Sequence, residues 1–502
     1  MVSSYWKGEC TRRKAAKLLA LLLCAALCLT AGCLASGEAY GGSGEAFVAS
    51  NEASGEAISY GYAGNGTLTP AGPVNLPDGS LVLEGQAIIA VGGSAVQNAG
   101  ASDLTVRDSV IVGVDPAPTR PLAGNPGNLL VAGNVRTTLA LSQGHSYYVN
   151  STILSSNWAA LSTDGAVPAT QPGQDELSLY AYGTLARTTE GGYGAYSDLF
   201  CNLYLYGSDI EAAEIGIISG TYGAVTVDTV AAGEADPAMA AHLTAADAAA
   251  QTDKDKGSVV SGGRNALMIH SVNLPPYWEY EGYSQQELPW YATPVTVNGS
   301  TLRTDLSLDM GVAYDGQKQA YIDHTAGSVI LVKSTNADIR LNGAVLEADR
   351  AGTGAILQTV YNNDTMFMNA VPDGVSYPGV RVSMTGMAAA GDVIHEDYQR
   401  DLYLTLTDAS LTGAVRAYDC AHWNEAAAAE GFTDYALDAA YSTPHGVYLT
   451  LSEGASWTVT GQSVLSGLTV GAGCTVSGTM TVNGVSNPIV PGVYAGRIVV
   501  TP

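Results

Sequence analysis

Leu402-Tyr403-Leu404-Thr405-Leu406 and Val447-Tyr448-Leu449-Thr450-Leu451 are nearly one strand written twice. From about Leu76 onward the chain is built of such short alternations, rich in Val, Leu, Thr and Tyr and broken by Gly, Asn and Asp. Alternation with a period of two marks strands with one buried face. Helical patterning is confined to Ala238 to Ala250 and Glu425 to Glu430, Ala-rich stretches expected to be single short helices on loops.

A recurring tetrapeptide links the strands: a turn residue, Ser or Ala, any residue, then an aliphatic. It occurs at Asp108-Ser109-Val110-Ile111, Asn150-Ser151-Thr152-Ile153, Gly207-Ser208-Asp209-Ile210, Gly299-Ser300-Thr301-Leu302, Gly343-Ala344-Val345-Leu346 and Asp408-Ala409-Ser410-Leu411. The starts lie 42, 57, 92, 44 and 65 residues apart. Four of these gaps are near multiples of roughly 22, a solenoid-type period, and the gap of 57 implies an inserted loop. A period of about 22 suits three strands and three turns per coil. The expected fold is therefore all-β, a single-stranded right-handed parallel β-helix with loop insertions, small residues at its corners and asparagine ladders inside. With about 350 to 400 residues in coils, it would have about 16 to 18 coils and a length on the order of 80 Å. The alternative is an array of β-sandwich modules. Low Lys content, the lack of interdomain linkers and the Thr/Gly/Asn-rich corners weigh against it.

The N-terminus reads as an export signal over residues 1–32. Lys7, Arg12, Arg13, Lys14 and Lys17 precede an apolar run from Leu18 to Ala31, too short to span a bilayer but suited to a signal-peptide core. Leu29-Thr30-Ala31-Gly32-Cys33 resembles a bacterial lipobox, which implies acylation of Cys33; ordinary cleavage near Cys33-Leu34-Ala35 is the alternative. Residues 33–75, with Ser-Gly-Glu-Ala at Ser36, Ser43 and Ser54, read as a flexible tether. Residues 76–490 are then the β-helix and 491–502 a C-terminal tail or last strand.

The chain carries 47 acidic and 21 basic residues, a formal charge of -26. Removing residues 1–32 takes away five basic groups and one acidic group, leaving -30. Such a surface excludes nucleic acid as a partner, because phosphate neutralisation needs clustered Lys and Arg. It leaves membrane contact to the N-terminal anchor alone. Divalent cations would be attracted, but no calcium loop is present, so no cofactor is expected and calcium has no defined site. Beyond the anchor, Cys201, Cys420 and Cys474 are too few and too scattered for a disulfide framework or a zinc site; they are expected as small buried residues.

Residues 100 to 490 resemble secreted, pectin-lyase-like and adhesin-like β-helix proteins of gut bacteria. The resemblance is carried by Trp158-Ala159-Ala160-Leu161-Ser162-Thr163-Asp164-Gly165, Gly192-Tyr193-Gly194-Ala195-Tyr196, Leu331-Val332-Lys333-Ser334 and the strands from Ser456 onward. It implies a monomeric, exported, surface-displayed protein that binds an extracellular glycan or a surface protein.

Ser162-Thr163-Asp164-Gly165 also resembles the Asn-Thr-Asp motif of polygalacturonases, which implies a polysaccharide hydrolase with Asp164 working beside Asp198 and Asp209, one and two coils further on. Inverting hydrolysis needs two carboxyl groups about 6.5 to 9.5 Å apart. The Asp-Asp, Gly-His-Gly and Arg-Ile-Lys elements of that family are missing, and Asp164-Gly165 is equally a turn pair. A lyase would need a basic residue such as Lys333, Arg340, Arg381 or Arg400. Asp323 and His324 could form an acid–base pair, although neighbours on a strand face opposite ways. His395-Glu396-Asp397 invites a metal reading but is expected to be a solvated loop. Finally, Tyr277, Trp278, Tyr280, Tyr283, Trp290 and Tyr291 crowd a Pro-rich segment. Such rings can bind sugars or a protein, or fold back as a satellite core over the rod.

Overall fold

The computed structural model describes residues 47–51, 56–60, 68–100, 102–116, 135–141, 144–164, 177–189, 191–198, 201–220, 223–270, 292–304, 328–333, 335–348, 355–360, 379–397, 400–417 and 446–502. It is a right-handed parallel β-helix with three strands per coil. Coil after coil the chain visits a first sheet (Gly79–Glu84 to Val447–Ser452), a second (Thr69–Ala71 to Thr475–Val476) and a third (Val74–Leu76 to Val415–Ala417), pairing each strand with its parallel counterpart one coil away. Thr69–Ala71 and Val74–Leu76 already belong to the stack, so the coils begin before Leu76. Phe47–Asn51 and Glu56–Tyr60 form a separate antiparallel hairpin within the tether segment.

The alternation explains the core. Leu179, Leu203, Val225, Val295, Ile339, Val382, Leu404 and Leu449 are register partners in turn, all buried, so each inward side chain rests on a similar one above and below. Where the row needs bulk it alternates sizes: Tyr148 sits over Ala181, followed by Leu205. This keeps the interior close-packed.

The tetrapeptide is the corner between the first and second sheets. Its first residue takes the left-handed conformation at all six positions: Asp108, Asn150, Gly207, Gly299, Gly343 and Asp408 have φ between 46 and 57°. Gly, Asn and Asp are the residues that tolerate this. The following hydroxyl is buried and makes a ladder. The amide of Gln86 donates to Ser109 Oγ (3.0 Å), Ser109 to Ser151 (3.2 Å), Ser151 to Thr184 (3.3 Å), Thr184 to Ser208 (3.1 Å), Ser208 to Ser258 (3.1 Å) and Ser258 to Ser300 (3.0 Å). The hydroxyls in turn donate to backbone carbonyls, as Ser109 does to Arg107 and Ser300 to Asn298. The expected asparagine ladder is thus a serine and threonine ladder. A short hydroxyl fits the tight corner and reaches both a donor and an acceptor.

The ladder also corrects the coil count. Leu203 pairs with Val225 and Val380 with Leu402, so a plain inner coil is 22 residues, with shorter coils of 17 (Thr69 to Gln86) and 19 (Leu449 to Leu468) at the ends. The 42-residue step from Ser109 to Ser151 is nevertheless one coil with a loop in it, not two coils. The 57-residue gap holds two coils, because Thr184 lies 33 residues after Ser151 and 24 before Ser208. The rod therefore has about twelve coils and a length of about 55 Å, rather than 16 to 18 coils. Closely spaced strands at the C-terminus are not further coils: Thr479–Val482, Val485–Asn487 and Gly492–Thr501 pair antiparallel and cap the end.

One insertion, residues 229–257, lies on the outer face of the first sheet. The helix expected at Ala238 to Ala250 is three short helices, α1 (Val230–Ala235), α2 (Pro237–Ala240) and α3 (Ala245–Ala250). The breaks follow capping: Asp236 caps α2 before Pro237, and Thr244 with Asp247 forms a capping box that starts α3. The helices cover a tyrosine stack, Tyr147, Tyr180 and Tyr204, with ring centroids 4.8 and 4.6 Å apart. His242 continues the stack 3.5 Å from Tyr147, Tyr206 donates to Asp236 (2.6 Å) and Arg107 pairs with Asp247 (2.8 Å). Glu425 to Glu430 and Cys420 lie outside the described residues, while Cys201 and Cys474 are buried.

Two outcomes follow from this packing. Ser151→Ala leaves the buried amide of Ser109 without its acceptor and is expected to cost about 1–3 kcal/mol, read as a lower urea midpoint. Burial holds the His242 pKa below its ordinary value, with Arg107 and His145 adding and Asp103 opposing. Docking stability is then present above the unfolded value of about 6.5 and lost as pH falls through the docked one. Amide exchange in α1–α3, corrected for intrinsic rate, should accelerate below that pH, and His242→Phe should flatten the response.

Candidate functional site

On the outer face of the third sheet one row of register positions gathers residues that are far apart in sequence. Leu141 pairs with Asp164. The Ser162–Tyr196 register, continued by two residues, sets Asp198 opposite Asp164. The Ser197–Ser219 and Ser219–Ile269 pairs carry the row on through Gly220 to His270, which pairs with Lys333. Ile269 and Val332 are in the core, so His270 and Lys333 take the outward positions.

Beside Asp164 and Asp198 the outer face is aromatic. Trp158, Tyr193 and Tyr196 pack with Ile215, Ile218, Met268 and Leu331 in a cluster separate from the main core. The Trp158 ring lies 4.9 Å from Tyr196 and meets Tyr193 edge-on at 5.6 Å. The Arg136 guanidinium, on the preceding coil, sits 4.0 Å from the centroid of Trp158 and 5.5 Å from that of Tyr196, a cation–π arrangement. Its Nη1 also pairs with Asp164 Oδ2 at 2.6 Å. The Tyr196 hydroxyl donates to Asp198 Oδ1 at 3.2 Å, and the Asp198 amide donates to Thr163 Oγ1 at 2.8 Å. Burial, then the Asp198 charge, push the Tyr196 phenol well above its ordinary pKa, against Arg136. It therefore stays a neutral donor. Asp164 keeps 45 % of its side chain exposed, so the site opens to solvent.

The backbone beneath is strained. Trp158 has φ 60°, rare for a bulky residue. Its carbonyl accepts from Tyr193 N at 2.6 Å, and Gly192, at φ 80°, passes so close that a Cβ would stand 2.2 Å from that oxygen. The Gly192 amide donates to the buried Glu214 carboxylate at 3.1 Å. Glu214 thus holds the turn that sets Trp158.

Of the residues singled out in the sequence, Asp164 and Asp198 come together. Asp209 does not join them: it stands on the second sheet, paired with Leu185 and Val259, and makes an ion pair with Lys256 at 3.1 Å. Strands on different sheets face different sides of the rod. Lys333 shares the row but lies four coil steps from Asp164, about 19 Å, and is buried. Arg340 pairs with Asp338 and Arg381 lies over Tyr403, both on the first sheet. His395 is not in a solvated loop. It is buried on Asp392–Glu396 with Nδ1 2.6 Å from Thr359 Oγ1, and Asp397 is buried in an ion pair with Arg400. Cys33, Asp323, His324, Tyr277, Trp278, Tyr280, Tyr283, Trp290 and Tyr291 lie outside the described residues. Among the described residues no three His, Cys, Asp or Glu side chains gather to hold a metal ion.

Arg136 was not legible as a site residue, since only folding brings it over Trp158. Tyr193 and Tyr196 carried a signal, their Gly-Tyr-Gly-Ala-Tyr spacing, without a role. Chemically, two coil-adjacent carboxylates, an arginine and the partly exposed rings of Trp158 and Tyr196 offer acceptors, a donor and flat apolar surface, the usual means of holding a polar ligand with apolar faces. No family model, curated protein or solved structure matches the chain.

Gly192→Ala tests the support of this site. The added methyl has no room, so Trp158 must move, and a shifted tryptophan emission with an otherwise intact β-sheet circular dichroism spectrum is expected.

Proposed function

We propose that this chain is an adhesin-like β-helix, exported and displayed at the cell surface through a lipid on Cys33, that binds glycans at Trp158, Tyr196, Arg136, Asp164 and Asp198, with Tyr193 packed beneath the two rings. The observation that carries the reading is the in-register Asp164–Asp198 pair, with Asp164 open to solvent, beside the partly exposed rings of Trp158 and Tyr196. Sugar hydroxyls meet carboxylate acceptors, and the apolar faces of pyranose rings meet Trp158 and Tyr196. Arg136 is committed to Asp164 and Trp158, which favours holding a ligand over transferring protons.

A second reading, glycoside hydrolysis, rests on the same pair. Coil neighbours stand about 4.8 Å apart at the backbone, nearer the carboxyl separation of retaining enzymes, about 5–5.5 Å, than that of inverting ones.

One experiment separates the two: a glycan array with residues 34–502, with parallel assay of the same glycans for new reducing ends or unsaturated products. Binding without product, weakened about tenfold or more by Trp158→Ala, is the expected result. Product formation that disappears in Asp164→Asn would replace binding with hydrolysis.

A further inference from the structure

We infer that the glycan taken at this site carries free amino groups, and that Asp164 and Asp198 select it against uronate-containing and N-acylated chains. The inference rests on the glycan-binding reading above.

The cluster already accommodates a cation. Arg136 lies over Trp158 and Tyr196 and is closed from the side by Asp164, the combination of π-faces and carboxylate that stabilises a positive group. A second carboxylate, Asp198, stands one coil further on, and the Tyr196 phenol between them is neutral and donates to it. Asp164, Asp198 and Glu214 outnumber Arg136 and Arg264, so the site holds more negative than positive charge. His270 and Lys333, the basic residues further along the row, are two and three coil steps from Asp198, about 10 and 14 Å.

Composition points the same way. With a charge of -30 beyond residue 32, the protein repels a polyuronate before contact. An ammonium sugar is drawn in by the same field and meets carboxylate and ring faces on arrival. N-acylation removes the charge and with it both contributions.

The test uses residues 34–502 and glucosamine oligomers of one length, either deacetylated or fully N-acetylated, with a galacturonate oligomer and oligolysine as comparators. Titration calorimetry is run below the pKa of the sugar amine, at low and high salt. The deacetylated oligomer is expected to bind roughly tenfold tighter than the acetylated one, with the difference shrinking in salt. Asp198→Asn should remove most of that difference, weakening the deacetylated oligomer more than the acetylated one. An unchanged circular dichroism spectrum and tryptophan emission of Asp198→Asn check that such changes do not reflect misfolding. Equal affinity for the two forms, tighter binding of the galacturonate, or an unchanged preference in Asp198→Asn overturns the inference and leaves glycan binding standing. Oligolysine binding as tightly as the sugar overturns it in favour of a basic peptide. No binding of any glycan sinks the glycan-binding reading itself.

Discussion

Buried corner amides are the constraint on which the stack depends. A coil that turns sharply points a backbone N–H into the interior, where an unmet donor is costly. Here a buried corner hydroxyl, from Ser109 to Ser300, accepts from the corner amide of the preceding coil, Gln86 up to Ser258. Because that bond joins equivalent positions, it fixes the register of one coil on the next. The ladder's last hydroxyl is at Ser300; Ala344 and Ala409 occupy the corner further on. The second sheet divides in that later half, between Val345–Glu347 and Ala388–Ala390.

With register fixed, loops are cheap. The closure entropy of a loop grows only slowly with its length, so coils can carry long connections and still stack. The helical insertion shows what a connection can do once formed. Tyr147, Tyr180, Tyr182 and Tyr206 stand on the outside of the coil, yet α1–α3 bury them and give the hydroxyls of Tyr182 and Tyr206 carboxylate partners. The third sheet carries its own outer apolar cluster, and the candidate site occupies its edge, where Trp158 and Tyr196 border the aspartates.

The geometry of that site follows from the ladder several bonds away. Asp164 and Asp198 meet because the strands ending in them are one coil apart and in step. Arg136 reaches both Trp158 and Asp164 because its bridge to Ala159 puts it one coil earlier on the same face. Glu214, a coil later, fixes Gly192 and through it the strained Trp158. Four successive coils thus contribute to one small surface, which gives the site a rigidity that a single loop would lack.

Much of the fold was legible because its causes are local. Alternation specified strands, Asp108, Asn150 and Gly207 specified left-handed corners, and Leu203 to Val225 keeps the period of 22 that the spacing suggested. The number of coils was not legible, since a gap of 42 residues reads equally as two plain coils or one with a loop, and only the bond between Ser109 and Ser151 decides. The same holds for the site. Sequence alone picked out Asp164 and Asp198 but grouped them with Asp209, which faces another side of the rod. Which face a residue takes depends on the sheet its strand joins, a property of the stacked coil rather than of neighbouring residues. Residue types and their local alternation therefore determined the kind of solenoid, while coil register, a contact between distant segments, decided which side chains share a surface.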